Sequence, residues 1–238
     1  MKDNWSDQRF ASDWDNNAAV NNPMRNLLLS LLLTLVEDNY AIGDKILDLG
    51  FGSGQIEKMI FKKLPDAEIT GVDSSETMIK LAKKKIGIGS KLSTIHHDLN
   101  NTTELELPNS PYKFVITSFV LHEISATHKK EIFKYAFDAL TDKGIYILVD
   151  RFRINIKDLR NTYKAQWHWQ SQNANITNWS DWKEQFEEYE KRMVAKDDSP
   201  DPVDDQLMWL REIGFTAACV QLQFDRGLIV GVKNNVQR

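Results

Sequence analysis

The stretch Lys45–Gly54, KILDLGFGSG, constrains this chain more than any other. Ile46, Leu47 and Leu49 form a short apolar run that carries one acid, Asp48, and is bounded by turn residues. That is the pattern of a buried strand in a parallel sheet. Gly50, Gly52 and Gly54 follow at G-x-G-x-G spacing, and Ile56, Met59, Ile60 and Leu64 then recur at helical spacing. Strand, glycine turn and helix in that order open a nucleotide-type ligand site. Glycine turns sharply and leaves no Cβ between ligand and backbone. The helix start offers unpaired N–H groups and a partial positive charge. A dinucleotide fingerprint would read G-x-G-x-x-G. Here the third glycine comes one residue early and Gln55 stands in its place, which counts against an NAD-dependent oxidoreductase.

Further β-α units follow the glycine turn. Ile69, Thr70, Gly71 and Val72 read as a strand ending at Asp73, with Ser74 or Ser75 capping a helix whose inner face carries Met78, Ile79 and Ala82. Asp73 falls about 20 residues after the glycines, where a carboxylate can accept both ribose hydroxyls of a nucleoside; a helix cap is the plainer alternative. Lys91–Asn100 reads as a third strand, ending at His96, His97 and Asp98. Strand neighbours point to opposite faces, so the two histidines do not share an ion, and no metal is expected. Tyr112–Ser118 make a fourth strand that runs into FVLHEIS, with Ser118, Phe119 and His122; Ile145–Val149 make a fifth after an amphipathic helix. Leu207, Leu210 and Ile213 mark a last helix capped by Gly214, and 215–232 closes as a hairpin.

LDLGFGSG, GVDSSETMIKLAKKK, FVLHEIS and the REIGF tail, in this order, resemble the class I S-adenosylmethionine-dependent methyltransferases of small-molecule type. The resemblance covers about Ala41 to Val232. It implies an α/β, doubly wound, mostly parallel seven-stranded sheet (Rossmann-like) with a C-terminal antiparallel hairpin and a helical insertion. Residues 1–40 would be a helical arm or lid, 41–153 and 204–238 the cofactor-binding domain, and 154–203 the insertion. It implies S-adenosylmethionine held by Asp48, Gly50, Phe51, Gly52, Gly54, Asp73, Ser74, Met78, Asp98, Leu99, Ser118 and Phe119. Phe51 replaces the small residue or Cys usual in that loop. His122 is the candidate base, since its reference pKa lies near neutrality; a pocket-shaping histidine is the alternative, and Glu123 is a weaker candidate for the same task. The absence of Asn/Asp-Pro-Pro-Tyr/Phe counts against adenine-N6 or glutamine methylation.

Composition bounds the partners. The 238 residues carry a net charge of −4 and a single cysteine, Cys219, which suits a reducing, cytoplasmic setting. Between Asp181 and Asp205 ten acids face four bases, so no nucleic-acid partner is expected. Leu27–Val36 is about half a membrane span and reads as a buried helix. Trp14 in the arm, with His122, Tyr163 and Trp167, are the candidate substrate contacts, since aromatics wall small-molecule pockets. The same insertion aromatics can instead pack a helical hairpin or a homodimer contact. Arg25 reads as a surface residue or one reaching a carboxylate. The function expected is methyl transfer to a small-molecule O- or N-acceptor. A synthase that modifies the sulfonium cofactor, as carboxy-S-adenosylmethionine synthases do, and a non-catalytic cofactor-binding module stay open, and RNA methylation ranks below them.

Overall fold

The computed structural model describes residues 4–22, 24–108, 110–154, 159–173, 185–195 and 199–234. One seven-stranded sheet runs through the chain. Its strands are β1 (Lys45–Leu49), β2 (Glu68–Asp73), β3 (Lys91–His96), β4 (Tyr112–Ser118), β5 (Leu140–Arg151), β6 (Phe215–Gln223) and β7 (Arg226–Lys233). Their spatial order is β3-β2-β1-β4-β5-β7-β6. Every pairing from β3 across to β5 is parallel, and β7 runs antiparallel to both β5 and β6. This is the expected mostly parallel sheet with a closing hairpin. The order reverses direction between β1 and β4, and ligands of open α/β sheets bind at such a point.

Strand periodicity divides the core into two layers. Leu47, Leu49, Val115, Tyr146 and Leu148 pack on one face with helices α5 (Ala126–Ala139) and α8 (Val203–Ile213). Their strand neighbours Ile46, Phe114, Ile116 and Ile147 pack on the other. There they meet Leu28, Leu32 and Val36 of α2 (Arg25–Asn39) and Ile56 and Ile60 of α3 (Gln55–Lys63). The period of two in a pleated strand sends alternate apolar residues to opposite layers. The leucine-rich run is therefore a core helix, and only α1 (Gln8–Asn21) remains of the expected arm as an element lying over the strand ends. Among the described residues no helix is long and apolar enough to cross a membrane.

β5 begins earlier than the expected Ile145 and takes up Thr141–Gly144. Tyr112 pairs with Leu140 and Phe114 with Ile145, so the intervening residues bulge, with Lys143 at φ 57°. Helices α6 (Arg160–Gln172) and α7 (Phe186–Ala195) belong to the insertion. They are held together by Arg160–Glu190 and Lys164–Glu187 ion pairs. Trp179 and Trp182, two of the insertion's aromatics, lie outside the described residues.

Candidate active site

The glycine turn is shaped from within the sheet. Gly50 and Phe51 both donate backbone N–H bonds to Val72 O, at 2.7 and 3.2 Å. Gly50 has φ +81°, and a Cβ there would lie 2.4 Å from the Val120 side chain, so both conformation and space require glycine. Gly52 has φ +56° and nothing within 4 Å of its missing Cβ; it borders the cavity, which a side chain there would fill. Gly54 opens α3 at φ +74° and faces away from the cavity. A Cβ on it would meet Ala82 and Ile86 of α4 (Glu76–Ile86) at 3.0 Å, so this glycine sets the approach of two helices. Phe51 fits because β2 carries Gly71 beneath it, where any Cβ would come within 2.7 Å of the phenyl ring.

Asp73 ends β2 with its carboxylate already oriented. Oδ2 accepts from Gly52 N and Oδ1 from Ser75 N, both at 2.8 Å. Burial raises its pKa, and the two backbone N–H groups act against that rise. Ser75, not Ser74, caps α4, accepting from Met78 N at 3.2 Å. Asp98 caps a 3-10 turn (Leu99–Glu104) through Asn100 N at 2.9 Å. At the end of β4, Phe119 takes φ +58° and donates its N–H to Val149 O. These strand ends enclose a cavity of about 270 Å³. Gly50, Phe51, Gly52, Asp73, Ser74, Met78, Asp98, Leu99, Ser118, Phe119 and Trp14 all line it.

Helix α1 roofs the cavity. The Trp5 indole packs edge-on against Trp14 at 5.2 Å, and its Nε1 donates to Glu123 Oε2 at 3.1 Å. Ser75 Oγ donates to Trp5 O and Thr77 Oγ1 to Ser6 O. Asp15 accepts from Lys85 Nζ at 2.6 Å, from Gln55 Nε2 at 2.7 Å and from the Ser53 hydroxyl. Burial raises the Asp15 pKa, but these three donors outweigh it and hold the carboxyl below its usual range. Arg25 is not a surface residue. Its guanidinium lies between the Trp14 and Phe119 rings, at 5.0 and 4.6 Å, and its Nε donates to Gln55 Oε1 at 2.8 Å. Burial pulls its pKa down to about 10, with Asp15 and Glu57 acting against the fall. Arg25, Trp5, Gln55 and Glu123 join the cavity wall. Trp14 in the expected arm is the sequence signal that pointed to this roof.

Four expected site residues lie off the wall in addition to Gly54. Asp48 is 1% exposed beneath the loop. Burial, and then the adjacent Glu57, push its pKa well up, and burial raises that of Glu57 too. None of their four oxygens has a hydrogen-bond donor among the described residues, and two buried carboxyl groups side by side need a shared proton. His122 sits behind the wall. Its Nδ1 is 2.5 Å from Asp150 Oδ1, its backbone N donates to Asp150 Oδ2 at 3.0 Å, and its Nε2 is 4.0 Å from Glu123 Oε1. Tyr163 and Trp167 pack elsewhere, in a separate aromatic core with Phe186, Tyr189 and Phe224. Trp167 is 1% exposed there, so it has no face to offer a ligand. Among the described residues no three His, Cys, Asp or Glu side chains gather as a metal site.

Residues 46–144 match the family model described as a methyltransferase domain. That segment is similar to a methyltransferase domain. A carboxy-S-adenosyl-L-methionine synthase from Nautilia profundicola is 27% identical over 64% of this chain and 64% of its own length. A demethylmenaquinone methyltransferase from Chlamydia pneumoniae is 36% identical over 37% of this chain and 36% of its own. The chain thus spans under two thirds of either relative. An O-methyltransferase family protein from Burkholderia thailandensis superposes with TM-score 0.66 at 16% identity, covering 98% of this chain and 62% of that one. The matched segment carries the glycine turn, Asp73, Asp98 and the β4 end, whereas α1 and the insertion lie outside it.

Proposed function

We propose that this protein transfers a methyl group from S-adenosylmethionine to a small-molecule O- or N-acceptor. The observation that carries this reading is the Asp73 carboxylate, fixed by Gly52 N and Ser75 N beside a glycine with open space in place of a side chain. A carboxylate so held has lone pairs left for two ribose hydroxyls. The residues fit the cofactor in other respects. Gly52 admits the methionine end close to the backbone. Arg25, the one cation among the described wall residues, suits the methionine carboxylate. Asp98, Leu99 and Met78 form the side expected for adenine. When bound, S-adenosylmethionine supplies a methyl group on a positively charged sulfur. The protein's task is to hold the acceptor in line with it, with the reacting atoms about 3–3.5 Å apart.

A second reading, a synthase that modifies the sulfonium cofactor itself, draws support from the relative of that name. It would have to seat a further anion beside Asp73, Asp98 and Glu123, against which the described wall sets one cation; we therefore rank it second. Isothermal titration with S-adenosylmethionine and S-adenosylhomocysteine tests the main reading. Micromolar binding of both is expected, weakened roughly tenfold or more in Asp73→Ala; binding of neither, or an unchanged affinity in the variant, overturns it. Mass analysis of the sulfur product separates the readings, because methyl transfer leaves S-adenosylhomocysteine and the synthase leaves a modified sulfonium.

A further inference from the structure

We propose that Glu123 receives the methyl acceptor and that this acceptor is an amine. The inference rests on the methyl-transfer reading of the same cavity and narrows its substrate class. Glu123 follows the β4 end, next to Ser118 and Phe119, and lines the cavity with them. Its Oε2 already accepts an N–H from an aromatic amphiphile, the Trp5 indole, at 3.1 Å. That indole belongs to the segment leading into α1, outside the matched segment, so an incoming N–H can take its place when the roof lifts. Aromatic walls and a carboxylate together suit a protonated amine, which gains a charge-assisted hydrogen bond and ring contact. The wall's charges favour the same class. Asp73, Asp98 and Glu123 outnumber Arg25, whose guanidinium already lies between the Trp14 and Phe119 rings.

The surroundings of Glu123 suit it to take a proton as well. Its Oε1 faces His122 Nε2 at 4.0 Å, and Asp150 engages the opposite ring nitrogen at 2.5 Å. A carboxylate on Nδ1 makes that atom the donor and leaves Nε2 as the acceptor in the neutral ring. The ammonium hands one proton to Glu123, with His122 next in line. The freed nitrogen lone pair forms the N–CH3 bond as the methyl–sulfur bond breaks, and that bonding pair stays on sulfur in S-adenosylhomocysteine. Glu123 is thereby a catalytic residue, and His122 and Asp150 are positioning residues behind it.

Three probes of like size test this on protein saturated with S-adenosylhomocysteine: phenethylamine, 3-phenylpropionate and 4-ethylphenol. Phenethylamine is expected to bind roughly tenfold or more tighter than the other two. Glu123→Gln should erase that preference, its S-adenosylhomocysteine binding reporting that the fold is intact. Trp5→Phe, which removes the competing N–H, should bind phenethylamine severalfold tighter than wild type. Equal binding of the probes, binding of none, or a preference that survives in Glu123→Gln overturns the proposal. If wild type fails to bind S-adenosylhomocysteine, the methyl-transfer reading itself falls; if it binds and the amine preference is absent, only the present proposal does.

Discussion

At the scale of single residues, the cavity depends on charges placed where water is scarce. The guanidinium of Arg25 is desolvated, which burial registers as a pKa lowered to about 10, and flat ring faces rather than an ion pair hold it. Arg25→Met should weaken S-adenosylhomocysteine binding by roughly tenfold or more while leaving adenosine, which lacks the carboxylate, within about twofold; parallel titrations read both. Beneath the loop, burial raises the pKa values of both Asp48 and Glu57, and Glu57 adds to the rise at Asp48. A carboxyl group whose folded pKa exceeds its unfolded value stabilises the fold below the unfolded value, near pH 4, and that stabilisation is lost as pH rises through the folded value. Wild-type stability should therefore decline above pH 4 more steeply than that of Glu57→Gln, which removes one of the two titrating groups. The two should diverge by on the order of 1 kcal/mol or more by pH 8, as measured by urea unfolding across pH.

At the scale of elements, α1 is held to the domain by polar contacts at both ends. Trp5 and Ser6 meet α4 and Glu123 at one end, and Asp15 gathers Ser53, Gln55 and Lys85 at the other. Few apolar side chains of α1 enter the core, so the helix belongs to the low-stability end of the molecule. Asp15→Ala should abolish amide-exchange protection across Gln8–Asn21 while leaving α2 protected. The Asp15 carboxyl is held below its usual range when docked. Its contribution is present above its ordinary pKa, about 3.8, and is lost as pH falls further; wild type should therefore lose the same α1 protection below about pH 4. Equal protection in variant and wild type would show that Asp15 does not hold the roof.

At the scale of the molecule, the sheet carries two cores of different purpose. The main layers position the strand ends. The small aromatic core of Trp167, Phe186, Tyr189 and Phe224 secures α6 and α7 against the β6–β7 turn, where the Tyr189 hydroxyl donates to Asp225 Oδ2 at 2.6 Å. Trp167→Ala should cost about 3–5 kcal/mol of unfolding free energy. It should leave S-adenosylhomocysteine affinity unchanged, since the ring does not border the cavity. Cofactor at 100 times its Kd should stabilise the whole molecule by about 2.7 kcal/mol, which for a chain of this size is a rise in Tm of roughly 5–10 °C.

The sequence by itself determined what depends on neighbours in the chain. The glycine turn, the strand ends at Asp73 and Ser118, the capped helices and the terminal hairpin all follow from spacings of two, three or four residues, because backbone sterics and strand or helix period act over that range. Only the tertiary structure decided what closes over the strand ends. Trp5 and Glu123 are 118 residues apart, Asp15 and Lys85 are 70 apart, and Arg25 and Gln55 are 30 apart. No local pattern links such pairs; they meet because α1 and α2 pack onto a sheet whose strand order is not the chain order. The same long-range packing turned Arg25 from a surface cation into part of the cavity wall and drew Trp167 away from it. It also set Glu57 on α3 against Asp48 on β1, in an interior where one shared proton is the remedy for two acids.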